Sequence, residues 1–192
     1  MTAPVILAST SRYRAQLLHR LLGAFEQVAP DADETPQPGE VPSTRALRLA
    51  ALKARAVARQ HPGALVIGSD QVASLDDEIL RKPGDAATAH AQLSRSSAHM
   101  VTFHTALCIV DADGHEHMHT DHTRVHFRRL DDATIARYIA AEKPLDCAGS
   151  FKCEGLGIAL FERIESEDPT ALIGLPLIAT ARLLRESDLT LP

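Results

Sequence analysis

"HMVTFHTALCIV" at residues 99–110, "DADG" at 111–114 and "HEHMHTDHTRVHF" at 115–127 form the stretch that decides the fold. Two strand-like runs flank a short turn of Asp and Gly, so the segment reads as a β-hairpin. Hairpin strands pair antiparallel, which argues against a purely parallel doubly wound sheet. Working outward, "VILAS" (5–9) reads as a short buried strand. The following "RYRAQLLHRLLGAF" (12–25) carries Leu17, Leu18, Leu21 and Leu22 at helical spacing, with Gly23 as its stop. "QVAPDADETPQPGEVPST" (27–44) has the composition of an irregular connection, and Ser43 or Thr44 is placed to cap a helix over "RALRLAALKARAVARQ" (45–60). "ALVIGSD" (64–70) is an apolar run whose strand would deliver Ser69, Asp70 and Gln71 to its C-terminal edge, a favoured place for ligand sites in α/β sheets. A tight turn at "LDDEI" (75–79) and a short capped helix at "GDAATAHAQLSR" (84–95) precede the hairpin. After it come an amphipathic helix at "DDATIARYIAAEKP" (131–144), stopped by Pro144, and a glycine-bounded loop, "CAGSFKCEG" (147–155), leading to the apolar run "GIALFERI" (157–164). A last helix is expected in "GLPLIATARLLRES" (174–187), with Pro176 in its first turn. The fold class is α/β with mixed α+β character.

The 192 residues are 45% hydrophobic, which suits one domain over 1–192 folded as two lobes. Aromatics are only 4% and Trp is absent, so aliphatic side chains carry the packing. A net charge of -5 disfavours stable binding to nucleic acid, which relies on many phosphate contacts; any basic cluster must be local. "MTAPVILAST" lacks a basic n-region and its apolar run is too short for a signal peptide or a membrane span, so a cytoplasmic location is expected. Cys108, Cys147 and Cys153 match no CxxC or zinc spacing and read as reduced thiols. His115, His117 and His119 alternate on one strand face and read as a polar face near a turn rather than a metal site.

Four polar clusters sit where strand gives way to loop: Ser9 to Arg14, Asp33 with Glu34, Ser69 to Gln71, and Lys82 with Pro83. The first supplies hydroxyls and guanidinium groups suited to an anion, although the stretch alone also fits a capped helix with surface arginines. Asp70 ends an apolar run, and a carboxylate there needs a cation or donors to compensate its lost solvation. Paired with Glu34 it could hold Mg²⁺ or Mn²⁺, while Ser9, Arg14, Lys53 and Lys82 handle phosphate oxygens. Taken singly, Lys53 would be a solvated position on an Ala-rich helix, and Glu34 an ordinary loop acid.

Taken in order, "LASTSRYR", "DETP", "ALKARAVA", "VIGSDQV", "RKP", "CAGSFKCEG" and "GLPL" resemble the Maf family of nucleotide pyrophosphatases, over about residues 5 to 180. The resemblance implies an inosine triphosphate pyrophosphatase-like fold: a long mixed sheet, flanking helices, and a central cleft between two lobes. It also implies hydrolysis of a nucleoside triphosphate between the α and β phosphates with a divalent metal cofactor. Asp70 matches the family's proton acceptor, and Ser9, Arg14, Glu34, Lys53 and Lys82 would line the phosphate and metal site. Where the family usually has Ser-Pro-Arg-Arg, this chain has Ser11, Arg12, Tyr13 and Arg14, which leaves the loop shape and the role of Arg12 open. Tyr13, Gln71 and Glu154 resemble the branch that acts on 7-methyl-GTP; the branch that takes dTTP and UTP typically carries Arg, Thr and Gln there. Physics agrees: N7 methylation makes guanine a cation, which gains against an aromatic face, and a carboxylate accepts from guanine N1 and N2. A buried carboxylate would pair poorly with uracil or thymine. The alternatives are a dTTP/UTP pyrophosphatase and a nucleotide-binding regulator of septum formation. A homodimer is the simplest assembly to expect, and house-cleaning of modified nucleotides is the role the resemblance implies.

Overall fold

The computed structural model describes residues 3–191. The hairpin is its spine. β5 (Met100–Val110) and β6 (Glu116–Phe127) pair antiparallel from Met100↔His126 to Val110↔Glu116. Asp111 closes the turn, its Oδ1 accepting the N–H groups of Asp113 at 3.0 Å and His115 at 2.9 Å. β3 (Leu65–Leu75) lies antiparallel to β5 over Val66–Leu75. On its other edge β3 pairs first with β1 (Val5–Ala8), in parallel over residues 65–68, and then with β4 (Glu78–Leu80), antiparallel over residues 73–75. β2 (Glu26–Val28) adds in parallel to β1, and β7 (Phe161–Glu165) antiparallel to β6. Among the described residues this makes one mixed seven-stranded sheet, order β2-β1-β3-β5-β6-β7 with β4 beside β3.

Period-two alternation along β3 and β5 distributes the helices. Val66, Val72, Ala106, Cys108 and Val110 face α2 (Pro42–Ala58), against Ala46, Ala50, Ala54 and Val57. Leu65, Ile67, Leu107 and Ile109 point to the opposite face and meet Leu17 and Leu18 of α1 (Arg12–Leu18) and Leu183 and Leu184 of α5 (Leu177–Glu186). Further along the same face, Ala73, Leu75, Val101 and Phe103 meet Leu93 of α3 (Ala86–Ser96) and Ile135 and Tyr138 of α4 (Asp132–Glu142). The long strands therefore cross both lobes, and the α1/α5 and α3/α4 clusters stand apart on one face. Gly68 sets the approach of α2: a Cβ there would lie 2.4 Å from the Ala50 carbonyl oxygen and 2.8 Å from Ala54 Cβ. No helix among the described residues is long and apolar enough to cross a membrane.

Several boundaries differ from the sequence expectation. α1 stops at Leu18 instead of running to Gly23, and tighter turns (Arg20 N–H to Leu17 O and Leu21 N–H to Leu18 O, both 2.9 Å) carry Leu22 into the core. α2 begins at Pro42, with Val41 as N-cap and no side-chain cap, in place of capping by Ser43 or Thr44; proline's fixed φ starts the helix. Gln27 and Val28, read as irregular, belong to the short edge strand β2, whose partly exposed residues leave no apolar period to detect. Pro176 is the N-cap of α5, one residue ahead of its first turn. β3 runs on to Leu75, so Ser69, Asp70 and Gln71 lie mid-strand and not at its C-terminal end.

Candidate active site

β1 leaves β3 at Gly68 and β4 joins it only at Ala73, so Ser69 to Val72 carry no strand partner on that edge. A cleft of about 790 Å³ opens at this interruption and receives side chains from both faces of the sheet. Asp70 points to the α2 side and is 8% exposed. Its Oδ1 accepts from Lys53 Nζ at 2.6 Å, and the same ammonium lies 3.1 Å from Glu34 Oε1 in the loop before α2. Arg45, Leu49 and Lys53 recur at helical spacing along α2, and all three line the cleft. Two carboxylates thus converge on one cationic centre.

The end of β1 and the start of α1 build the next wall. Ser11 caps α1, its hydroxyl accepting the Arg14 N–H at 3.4 Å. Buried Ser9 accepts from the Ser11 N–H at 3.1 Å and from Arg14 Nη1 at 3.4 Å. Arg14 Nε donates to the Gly174 carbonyl at 2.9 Å, which also receives Ser69 Oγ at 2.9 Å. Burial pulls the Arg14 pKa down, opposed by the charges of Asp70 and Glu34. Gln71, on the opposite face from Asp70, donates through Nε2 to Thr105 Oγ1 and to the carbonyls of Ala171 and Leu172, at 2.9, 3.0 and 3.1 Å. Its amide nitrogen therefore holds the Ala171–Ile173 turn beneath the Gly174 carbonyl.

The far end is formed by Tyr13 and the 147–155 loop. Tyr13 lines the cleft with Arg12, whose guanidinium carbon sits 4.8 Å from the Tyr13 ring centroid and whose Nη2 donates to the phenol oxygen at 2.9 Å. Glu154 lines the same end but is exposed, not buried as the carboxylate argument from sequence supposed; the loop carries it at the rim. Lys82 also lines the cleft, is exposed, and has no carboxylate within 4.0 Å among the described residues. Cys147 and Cys153 are free thiols in the wall, and burial pushes both up to about 12, away from nucleophilic use.

The structure thus brings Ser9, Tyr13, Arg14, Glu34, Lys53, Asp70, Gln71, Lys82 and Glu154 to one cleft. Sequence reasoning missed Arg45, whose spacing from Lys53 on α2 was a usable signal, and the Ala171–Gly174 turn, for which "GLPL" was the only trace. Outside the cleft, Asp111, Asp113 and His115 place ligand-type atoms within 4.8 Å of one another at the hairpin tip. Asp111 already serves the turn there and lies 3.0 Å from His117 Nε2, so the histidine face has a carboxylate companion that the sequence did not reveal.

A mixed sheet crossing two lobes gathers acids and bases where its edge is interrupted, an arrangement suited to a polyanionic ligand. The chain belongs to the Maf family: the model of the family described as Maf-like protein matches residues 4–187. It is 58% identical over 192 residues, the whole of both chains, to a 7-methyl-GTP pyrophosphatase of Xanthomonas oryzae pv. oryzae. It is 54% identical over 189 residues, 98% of this chain and 97% of the other, to a 7-methyl-GTP pyrophosphatase of Aromatoleum aromaticum. Among solved structures, the Ham1 protein of Staphylococcus aureus aligns at a TM-score of 0.54 and 13% identity, covering 95% of this chain and 99% of that one. A HAM1 protein from Coxiella burnetii also aligns at 0.54, with 15% identity over 96% of this chain and 100% of that one. These likenesses agree with the expected pyrophosphatase-like fold.

Proposed function

We propose that this chain hydrolyses 7-methyl-GTP to 7-methyl-GMP and pyrophosphate, working as one catalytic domain in the nucleotide pool of the cytoplasm. The carrying observation is the convergence of Asp70 and Glu34 on Lys53 Nζ, at 2.6 and 3.1 Å, at the interrupted edge of the sheet. Among the described residues no protein donor reaches Asp70 Oδ2, so that oxygen is open to orient a water and take its proton as the water oxygen bonds to the attacked phosphorus. The bond from that phosphorus to the bridging oxygen breaks, and pyrophosphate leaves. Lys53, Arg14 and Lys82 offset the charge of the triphosphate, with Ser9 donating to its oxygens.

Hard carboxylate oxygens converging in one place suit Mg²⁺ or Mn²⁺, and Glu34 and Asp70 are the residues that would hold the ion. When bound, such a cation neutralises charge on the phosphate oxygens. At the base end, the Arg12 guanidinium 4.8 Å from the Tyr13 ring centroid supports reading that ring as the partner of a cationic 7-methylguanine base. Glu154 at the rim is the acceptor for guanine N1 and N2, and binding of the base would supply the enclosure the exposed carboxylate lacks.

The test is pyrophosphate release from canonical and methylated nucleotides with Mg²⁺ or Mn²⁺. Preference for 7-methyl-GTP, abolished by EDTA and restored by adding back the metal, is the expected result. Preference for dTTP or UTP would discard the base assignment, and metal-independent release would discard the role of Glu34. Sedimentation of the purified chain checks the expected homodimer.

A further inference from the structure

Gln92 lies on α3 and lines none of the cleft, yet its amide bridges two segments that do. Nε2 donates to the Arg81 carbonyl at 3.0 Å, and Oε1 accepts from Ser150 Oγ at 2.6 Å. The amide orientation follows from chemistry: a carbonyl only accepts, so the nitrogen must face Arg81 and the Ser150 hydroxyl must donate to the oxygen. Arg81 immediately precedes Lys82, and Ser150 belongs to the loop that presents Glu154. Ser150 is fully buried with φ at 64°, a conformation that L side chains rarely adopt and that glycine adopts without strain. Its hydroxyl has no other partner among the described residues. The neighbouring Gly149 packs under Phe103, where a Cβ would approach Phe103 Cζ to 3.2 Å, so the loop has little room to settle elsewhere.

We propose that Gln92 is a positioning residue that fixes the base-end loop, residues 147–155, against the phosphate-end segment carrying Lys82, and so contributes to discrimination between nucleotides. The inference rests on the assignment of Glu154 to the base and Lys82 to phosphate. A second tie, from the Gly84 N–H to the Leu145 carbonyl at 3.0 Å, joins the Lys82 segment through backbone to the residues just ahead of the loop and keeps the two adjacent when the side chain is changed. Loss of the amide bridge therefore shifts Glu154 relative to Lys82 without parting the lobes.

The experiment compares kcat/KM for 7-methyl-GTP and GTP in the wild type, Gln92→Leu, Gln92→Glu and Ser150→Gly, with thermal unfolding of each. Gln92→Leu removes both arms, and Ser150→Gly removes the hydroxyl while easing the backbone. Ser150→Gly is expected to lower the 7-methyl-GTP to GTP ratio about three- to tenfold, the worth of one lost hydrogen bond, and Gln92→Leu, which loses two, at least as much. Gln92→Glu keeps the acceptor for Ser150 but sets an oxygen against the Arg81 carbonyl, breaking the bridge at its other arm, so the ratio is expected to fall here too. If Gln92→Leu fails to fold, Ser150→Gly still reads the base-end arm. A high wild-type ratio that survives Gln92→Leu and Ser150→Gly, with activity following only Tm, would overturn the positioning role and leave the substrate assignment standing. A wild-type ratio near one would overturn that assignment and this inference with it.

Discussion

Asp70 and Lys53 illustrate how a residue acquires its role from its neighbours. Each is almost fully buried, and each compensates part of the solvation the other loses there. Asp70→Asn keeps the shape and a hydrogen bond to Lys53 but cannot take a proton. Turnover should fall by about 10²–10⁴-fold with an unchanged circular dichroism spectrum, and near-normal turnover would remove Asp70 from the chemistry. Arg12 carries a different consequence. A cationic base seeking the ring face of Tyr13 meets a cation already seated there, 4.8 Å from the centroid. Arg12→Ala should lower KM for 7-methyl-GTP about two- to fivefold with kcat unchanged, and the effect should disappear in a Tyr13→Leu background. Ser9, Asp70 and Lys82 were legible because each stands where strand gives way to loop in the sequence pattern. Lys53 and Glu34, taken singly an ordinary helix position and loop acid, gained their roles from pairing and from the family resemblance. The Arg12 contact was not legible, since it depends on side-chain directions that spacing does not encode.

At the scale of elements, period two and period 3.6 located every long strand and helix, and the failures fell at their ends. Helix starts and stops respond to weak local terms, as Pro42 and the turns after Leu18 show, and a short edge strand such as β2 has too few buried residues to leave a pattern. The junction of α2 with β3 is the contact on which the Lys53–Asp70 pair depends. Gly68→Ala drives a methyl into the α2 backbone and should cost about 1–3 kcal/mol by overpacking, read as a lower urea midpoint. Because α2 must move away, activity should fall further than the lost stability alone explains. An unchanged midpoint would show that α2 can retreat freely. The bridge through Gln92 lay beyond sequence reasoning for the same reason: it joins positions 58 residues apart, on a helix read only as capped and a loop read only as glycine-bounded.

Across the whole molecule, a chain of net charge -5 concentrates Arg12, Arg14, Arg45, Lys53, Arg81 and Lys82 around one cleft, which reconciles an acidic protein with a polyanionic substrate. The sheet that spans the lobes also carries a pH dependence. His104 on β5 faces Ser74 Oγ of β3 at 3.3 Å and His122 Nδ1 of β6 at 3.0 Å. Burial first, and then His122, lowers its pKa from 6.5 to about 4. The unfolded chain therefore binds the proton that the folded chain refuses. This contribution to stability is complete above about pH 6.5 and is lost progressively as pH falls towards 4. His104→Gln should flatten the decline of Tm over that interval, and an unaltered slope would place the acid sensitivity elsewhere.

The two tyrosines have a further consequence. With no Trp in the chain, ultraviolet emission comes from Tyr13 in the cleft and from Tyr138, whose hydroxyl accepts the Lys152 N–H at 3.0 Å behind the 147–155 loop. Tyr13 lines the base end and buried Tyr138 holds its loop from behind, so a change in tyrosine emission on adding nucleotide is the expected label-free sign of occupancy there.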